Sequence, residues 1–226
     1  MKKITFLFFI IVLITFKTSA QDSKVKFGIQ GGLNYSSLRG YDGFVDDNPG
    51  FAYLFGFSFQ HEIQKNLSIK VDLNYERKAQ ISKSTINLID NSESPLPIEQ
   101  TFYKSKTTTY LNYIVLPIMI KYNFSNDKSF YINGGPYLGY LLKSGIKSES
   151  NFPSIYNGDV EDTKNRKSLD YGISAGIGKE FKFNENHNFY IELRENLGLA
   201  NIAKGEVMNG GTIKTNSLNL LAGFTF

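Results

Sequence analysis

Residues 67–76 read LSIKVDLNYE, and this stretch decides the fold. Its odd-numbered positions are apolar and its even-numbered positions are polar or charged: Leu67, Ile69, Val71, Leu73 and Tyr75 alternate with Ser68, Lys70, Asp72, Asn74 and Glu76. A period of two indicates a β-strand with one apolar face and one polar face. A bilayer is crossed by about 9–11 strand residues, so this strand is long enough to span a membrane.

The same alternation recurs along the chain and predicts eight strands, at residues 24–37, 51–63, 67–82, 107–124, 129–144, 168–183, 188–200 and 213–226. Short polar turns at residues 64–66, 125–128 and 184–187 alternate with long polar connections at residues 38–50, 83–106, 145–167 and 201–212. Short turns on one side and long loops on the other are typical of outer-membrane barrels. The sequence therefore predicts an all-β fold, an eight-stranded antiparallel up-and-down transmembrane β-barrel.

Two water-soluble folds are the alternatives to this prediction. A β-sandwich packs apolar faces inward and polar faces toward water, which does not fit strands of ten or more residues with aromatic residues at their ends, such as Tyr75, Tyr122 and Phe226. A lipocalin-like barrel stays open as an alternative, because alternation alone does not tell which face meets lipid.

The N-terminus predicts export. Lys2 and Lys3 precede an apolar run at residues 4–16, and small residues follow at Thr18-Ser19-Ala20. This order is typical of a cleaved signal peptide. The run is shorter than the ~20 residues of a spanning helix, which disfavours a membrane anchor. We expect a signal peptide at residues 1–20, cleaved before Gln21, and a barrel domain at residues 21–226.

Charge and cysteine content exclude several classes of function. Lys2, Lys3 and Lys17 fall in the signal, and removing these three from 25 leaves 22 basic residues against 21 acidic ones. A nearly balanced, mixed charge gives no basic stripe for nucleic acid. The chain has no cysteine, so disulfides, thiolate catalysis and zinc–sulfur sites are absent.

The order of several short stretches resembles the PorT-like outer-membrane β-barrel family, which is similar in architecture to the OmpA transmembrane domain. These stretches are FGIQGG at 27–32, YLNYIVLP at 110–117 with IKY at 120–122, NGGPYLGY at 133–140, DYG at 170–172 with GIG at 176–178, and ELR at 192–194 with LGL at 197–199.

The resemblance implies a place in the bacterial outer membrane, in contact with its lipid and lipopolysaccharide. It also implies insertion by the barrel-assembly machinery, for which the terminal Phe226 fits the aromatic signal. Further envelope proteins are candidate partners, and nucleic acid is not. One family namesake is associated with type IX secretion, so an accessory role in such an envelope complex is an alternative.

Charged residues on the polar faces predict a network inside the barrel: Lys70, Asp72, Glu76, Lys121, Glu180, Glu192 and Arg194. An eight-stranded barrel has an interior just wide enough for side chains to fill, and buried charges there must be paired. The two histidines, His61 and His187, form no catalytic pattern with a serine or an acid. We therefore expect no catalytic, cofactor or metal site, and a non-enzymatic structural, anchoring or recognition role through the extracellular loops. A narrow pore is the other alternative.

Proline within a strand removes one ladder hydrogen bond. Pro117 lies in the middle of the fourth predicted strand, and a β-bulge is expected there.

Overall fold

The computed structural model describes residues 24–40, 46–89, 100–124, 129–152, 157–184 and 187–226. The predicted signal peptide at residues 1–20 and the predicted turn at residues 125–128 lie outside these ranges. Among the described residues, no helix is long and apolar enough to span a membrane.

The described part of the chain contains nine strands: β1 Val25–Arg39, β2 Asp46–Gln64, β3 Leu67–Ile89, β4 Gln100–Asn123, β5 Phe130–Ser150, β6 Gly158–Glu161, β7 Leu169–Lys182, β8 Asn188–Gly198 and β9 Lys214–Thr225. Eight of them pair with their neighbours in a ring, in the order β4, β3, β2, β1, β9, β8, β7, β5, and β4 pairs with β5 to close it. Every pairing is antiparallel. The ninth strand, β6, pairs with the outer end of β5 and stands outside the ring. The predicted eight-stranded antiparallel barrel is confirmed.

The two faces of the wall have opposite character, as β8 illustrates. Ile191 and Leu193 are 43% and 45% exposed on the outside, whereas Glu192 and Arg194 between them are buried inside. A water-soluble barrel has its apolar face inside, so the lipocalin-like alternative is wrong. The apolar exterior forms a membrane belt, and its rings of aromatic residues are typical of the two membrane interfaces. The start of β1, the turn at residues 65–66 and the end of β9 share one end of the barrel, and short turns are typical of the periplasmic end.

Several strands are longer than predicted, because polar residues continue the strand pairing beyond the membrane belt. β3 and β4 pair as far as Ile89 and Gln100, so much of the loop expected at residues 83–106 is strand. Thr85, within this segment of β3, is a β-branched residue that favours extended backbone without an apolar face. We call this part the extracellular sheet: residues 79–89 of β3, 100–111 of β4, 143–150 of β5, and β6.

The expected bulge at Pro117 is wrong. Pro117 pairs with Tyr137 on β5, and the register between β3 and β4 is the same on both sides of it, from Val71–Ile118 to Asn74–Val115. Between those two points β3 and β4 have no paired residues, so the missing donor of Pro117 interrupts the ladder without inserting a residue. The register shifts instead between Asn112 and Tyr113, where β4 meets β5, and between Pro49 and Leu54 in β2.

Glycines on the inner face make room for large aromatic rings. A Cβ atom at Gly172 would lie 2.7 Å from the Tyr137 ring, and a Cβ atom at Gly178 would overlap the Tyr131 ring. A larger residue at either position would collide with a tyrosine ring, so the large rings inside the barrel depend on glycine in the adjacent strand.

Candidate functional site

The lumen contains charged side chains in three tiers, which we call the lower, central and upper clusters in order from the periplasmic end. The structure places all seven charged residues expected there on the inner face. It brings four of them into one contact group and places the other three in the tiers above and below.

The central cluster consists of Lys70, Asp72, Glu192 and Arg194. Lys70 Nζ lies 2.8 Å from Glu192 Oε2, and Arg194 Nη2 lies 2.8 Å from Asp72 Oδ2. Arg194 Nε also donates to Glu192 Oε1 at 2.6 Å. All four side chains are at most 4% exposed. Burial of unpaired charges costs several kcal/mol, so the alternation of acid and base in this tier is what makes it compatible with a closed interior.

Aromatic side chains extend the central cluster. The Tyr131 hydroxyl donates to Glu192 Oε2 at 2.7 Å, and Lys70 Nζ lies 4.7 Å from the centre of the Tyr190 ring. Tyr190 in turn donates to Gln30 at 2.6 Å. These contacts fix the charged groups against the wall as well as against each other.

The lower cluster lies at the periplasmic mouth. Lys121 forms an ion pair with Glu180 and donates to Gln60 Oε1 at 3.0 Å. Glu180 is 13% exposed, more than any side chain of the central cluster. This tier therefore forms the boundary between the buried lumen and the periplasm.

The upper cluster contains Glu76 together with two residues that sequence reasoning missed, Lys78 and Asp170. Lys78 Nζ lies 3.2 Å from Asp170 Oδ2 and 3.9 Å from Glu76 Oε1. Thr215 donates to Asp170 at 2.7 Å. The alternation on β3 indicates Lys78, because it lies an even number of residues from Lys70, Asp72 and Glu76 and so faces the same side. Asp170 has a weaker sequence signal, because it lies near the end of its strand.

Glu76 does not contact the central cluster. It accepts hydrogen bonds from Ser217 at 2.8 Å, from Asn34 at 3.1 Å and from Asn196 at 3.2 Å. The amides and hydroxyls of three other strands thus satisfy this carboxylate, alongside the more distant Lys78.

An apolar cap covers the upper cluster at the extracellular end. Ile202, in the connection between β8 and β9, is fully buried and packs with Leu111, Tyr113, Tyr137 and Leu141. Backbone hydrogen bonds hold it there: Ile202 donates to Ile213, and Lys167 donates to Ile202, both at 2.8 Å. The connection predicted as a polar loop at residues 201–212 therefore supplies an apolar residue to the interior.

The remaining candidate residues lie apart from these clusters. His61 is exposed near the periplasmic end, and His187 lies in a turn against Asn184 and Phe224. Within the described ranges, no group of three His, Asp or Glu side chains is placed to hold a metal ion. Phe226 exchanges two backbone hydrogen bonds with Phe27, at 2.8 and 3.1 Å, which joins the C-terminus to the first strand.

Comparisons with solved structures return outer-membrane proteins at low identity. Ail of Yersinia pestis, in complex with the heparin analogue sucrose octasulfate, is 13% identical over 89% of this chain and 99% of that chain, with a TM-score of 0.39. The protease OmpT of Escherichia coli is 13% identical over 92% and 97%, with a TM-score of 0.42. OprG of Pseudomonas aeruginosa is 12% identical over 91% and 99%, with a TM-score of 0.38. No curated protein sequence matches this chain.

The family comparison covers most of the sequence. The model of the outer membrane protein beta-barrel domain matches residues 19–204, which include β1 to β8 and so seven of the eight strands of the ring. With the apolar exterior, the paired charges inside and the closed ring of eight strands, this match decides the assignment: the chain belongs to the outer membrane protein β-barrel domain family and is a protein of the bacterial outer membrane.

Proposed function

We propose that this protein is a non-enzymatic outer-membrane barrel with a filled interior, which serves as an anchor or recognition protein through its extracellular parts. The observation that carries the proposal is the filling of the lumen. Three tiers of paired charges and an apolar cap lie along the axis, and the charged side chains of the upper two tiers are at most 4% exposed.

The extracellular sheet supplies the surface for such a role. It carries both signs of charge: Lys106 and Lys147 each form an ion pair with Glu149. It also carries Phe102, which is 55% exposed on β4 well beyond the membrane belt. An exposed aromatic residue outside the lipid is a common anchor for a protein partner.

A second candidate function is an accessory part of an envelope complex of the type IX kind, which the PorT-like resemblance suggests and for which Phe102 would be a contact residue. The biogenesis we propose is common to both functions: cleavage of residues 1–20, insertion by the barrel-assembly machinery with Phe226 as signal, and contact with outer-membrane lipid and lipopolysaccharide. In both cases the ion pairs of the lumen are structural.

Planar-bilayer recording tests the proposal against a narrow pore. The purified wild-type barrel is expected to show no steady single-channel current, because the three clusters close the lumen. Reproducible channel steps in the wild type would contradict it. Arg194→Leu provides the contrast: in a filled barrel it changes stability, whereas in a pore it changes conductance and selectivity with little effect on stability.

A further inference from the structure

The lateral wall of the barrel carries one acidic side chain that faces lipid. Glu195 lies on β8 between Leu193 and Leu197, which are both exposed on the outside, while its neighbours Arg194 and Asn196 are buried inside. Among the outward positions of the membrane belt in the described residues, this is the only carboxylate.

Its depth places it within the apolar belt. Glu195 lies six residues above Phe189, an outward-facing aromatic residue beside Phe181 near the periplasmic end of the barrel. Six residues are about 20 Å along a strand and about 15 Å along the axis at a tilt of ~40°. The belt of such barrels is about 25 Å tall, and Leu197 and Leu199 continue the apolar face above Glu195. The carboxylate therefore belongs to the outer-leaflet side of the belt.

Within the described part of the barrel, a hydrogen bond and distant cations compensate this carboxylate, but no ion pair does. Asn216 on β9 forms a side-chain hydrogen bond with Glu195, and Arg39 and Lys78 act on it only through longer-range electrostatics. No cationic nitrogen of the described residues lies within 4.0 Å of its oxygens. An ionisable side chain facing lipid is costly, and when it is kept it indicates a partner.

An apolar groove runs along the wall beside Glu195. It is lined by Leu33, Tyr35, Phe51, Leu193, Leu218 and Leu220. Leu218 is paired directly with Glu195 across the β8–β9 ladder, so the acid stands at one end of the groove. On its other side Glu195 is paired with Ala175, which is paired with Gly134. Because both residues are small, no large side chain projects from the wall at these two positions.

We propose that Glu195 and this groove bind a second membrane-embedded protein, which presents a lysine or arginine from its own lipid-facing surface. The aliphatic stem of such a residue suits the groove, and its charged head suits the carboxylate. A twofold contact with Glu195 on its axis is disfavoured, because it would bring two Glu195 carboxylates together; contacts of other geometry between copies are an outcome of the test. The phosphates of lipopolysaccharide would be repelled by the same group. This partner site lies on the lateral wall and does not depend on whether the lumen is closed.

The first test asks whether Glu195 serves the fold of the barrel alone. Glu195→Leu in the purified protein, in phospholipid vesicles, is expected to leave the urea midpoint unchanged or raised, since it removes a lipid-facing charge. A lowered midpoint would mean that the hydrogen bond with Asn216 maintains the barrel, and it would overturn the proposal.

The second test measures association in native outer membranes after mild detergent extraction. On native gels the wild type is expected to run as a complex larger than the monomer, and both Glu195→Gln and Glu195→Lys are expected to run as the monomer. Lys179→Gln is the matched control, because Lys179 also faces outward but lies among the rings of Phe130 and Phe181 near the periplasmic end. It should keep the complex.

Photo-crosslinking locates the contact and identifies its occupant. A crosslinker at Leu197 should give an adduct that Glu195→Gln abolishes, and one at Ile69, on the opposite wall, should not. In the identified partner, reversal of the contacting cation to Glu should restore the complex with Glu195→Lys. The proposal is overturned by a wild-type monomer, by a complex that survives Glu195→Gln, or by the same large species formed from purified protein alone or with lipopolysaccharide only.

Discussion

Lys70 and Glu192 form an ion pair that crosses the full width of the barrel. Lys70 lies on β3 and Glu192 on β8, and three strands of the eight-stranded ring lie between them in either direction. Their charged atoms are nevertheless 2.8 Å apart. The pair therefore links opposite walls of the barrel, and the central cluster both fills the lumen and connects its walls.

Arg194→Leu should destabilise the barrel strongly. The change leaves Asp72 without its closest cation and Glu192 with Lys70 alone, and breaking a buried pair costs about 3–5 kcal/mol. Urea unfolding in lipid vesicles, followed by the gel shift between unheated and boiled samples, measures the loss.

The double variant Lys70→Met with Glu192→Gln is the control for that experiment. It removes both ends of the cross-lumen pair and keeps Arg194 beside Asp72, so its cost should be clearly smaller than that of Arg194→Leu. An equal or larger cost would show that the lumen does not depend on charge pairing.

Val71→Arg should impair insertion and folding, whereas Val71→Ala should be tolerated. Val71 faces outward between Phe59 and Ile118 on the neighbouring strands, and an arginine near the midplane of such a barrel costs about 2–4 kcal/mol. Folding yield in vesicles of defined thickness checks this. Normal insertion of Val71→Arg would place the membrane belt elsewhere.

The sequence predicts which residues face the lumen but not which of them meet, because facing depends on local alternation and meeting depends on distant strands. The parity of Lys70, Asp72 and Glu76 is local, since successive residues of a strand face opposite sides, and it was enough to predict the inner face. The partner of each charged residue lies on a strand that is distant in sequence. Ring order and the stagger between strands bring Lys70 to Glu192 and bring Glu76 to amides instead of the central cluster. Alternation within one strand does not reveal either of these.

The cap and most of the extracellular sheet were missed for a different reason. Ile202 is a single apolar residue in a polar stretch, so no period marks it as buried. Residues 83–89 and 100–106, which lie outside the predicted strands, form strands through β-branched and hydroxyl residues that also occur in loops. Their pairing depends on a neighbouring strand that is already in place.

The contact between Tyr110 and Asp159 should make part of the extracellular sheet sensitive to alkaline pH. The Tyr110 hydroxyl donates to both Asp159 oxygens, at 2.9 and 3.0 Å. Burial first, and then the bond to this carboxylate, raises the pKa of Tyr110 above its ordinary value of 10.0. The stability from this contact is therefore present below about pH 10 and is lost as the pH rises through the raised pKa.

Ultraviolet titration of tyrosinate, taken as wild type minus Tyr110→Phe, isolates this group. Its midpoint should lie above that of an ordinary tyrosine, and Asp159→Asn should bring the midpoint down without removing the part due to burial. A midpoint at the ordinary value in wild-type protein would contradict the contact.

Ile202→Ala should loosen the extracellular end of the barrel without opening a channel. The substitution removes a fully buried side chain from the cap, and changes of this kind typically cost about 2–5 kcal/mol. The amide of Ile202, which donates to Ile213, and the amide of Lys167, which donates to Ile202, should exchange with solvent faster than in the wild type. Leu199→Ala is the control, because Leu199 is 44% exposed on the outer face and its loss should not change those amides.

Because the central cluster below still crosses the lumen, bilayer recordings of Ile202→Ala should stay silent. Steady current from this variant would show that the cap, and not the ion pairs, closes the barrel.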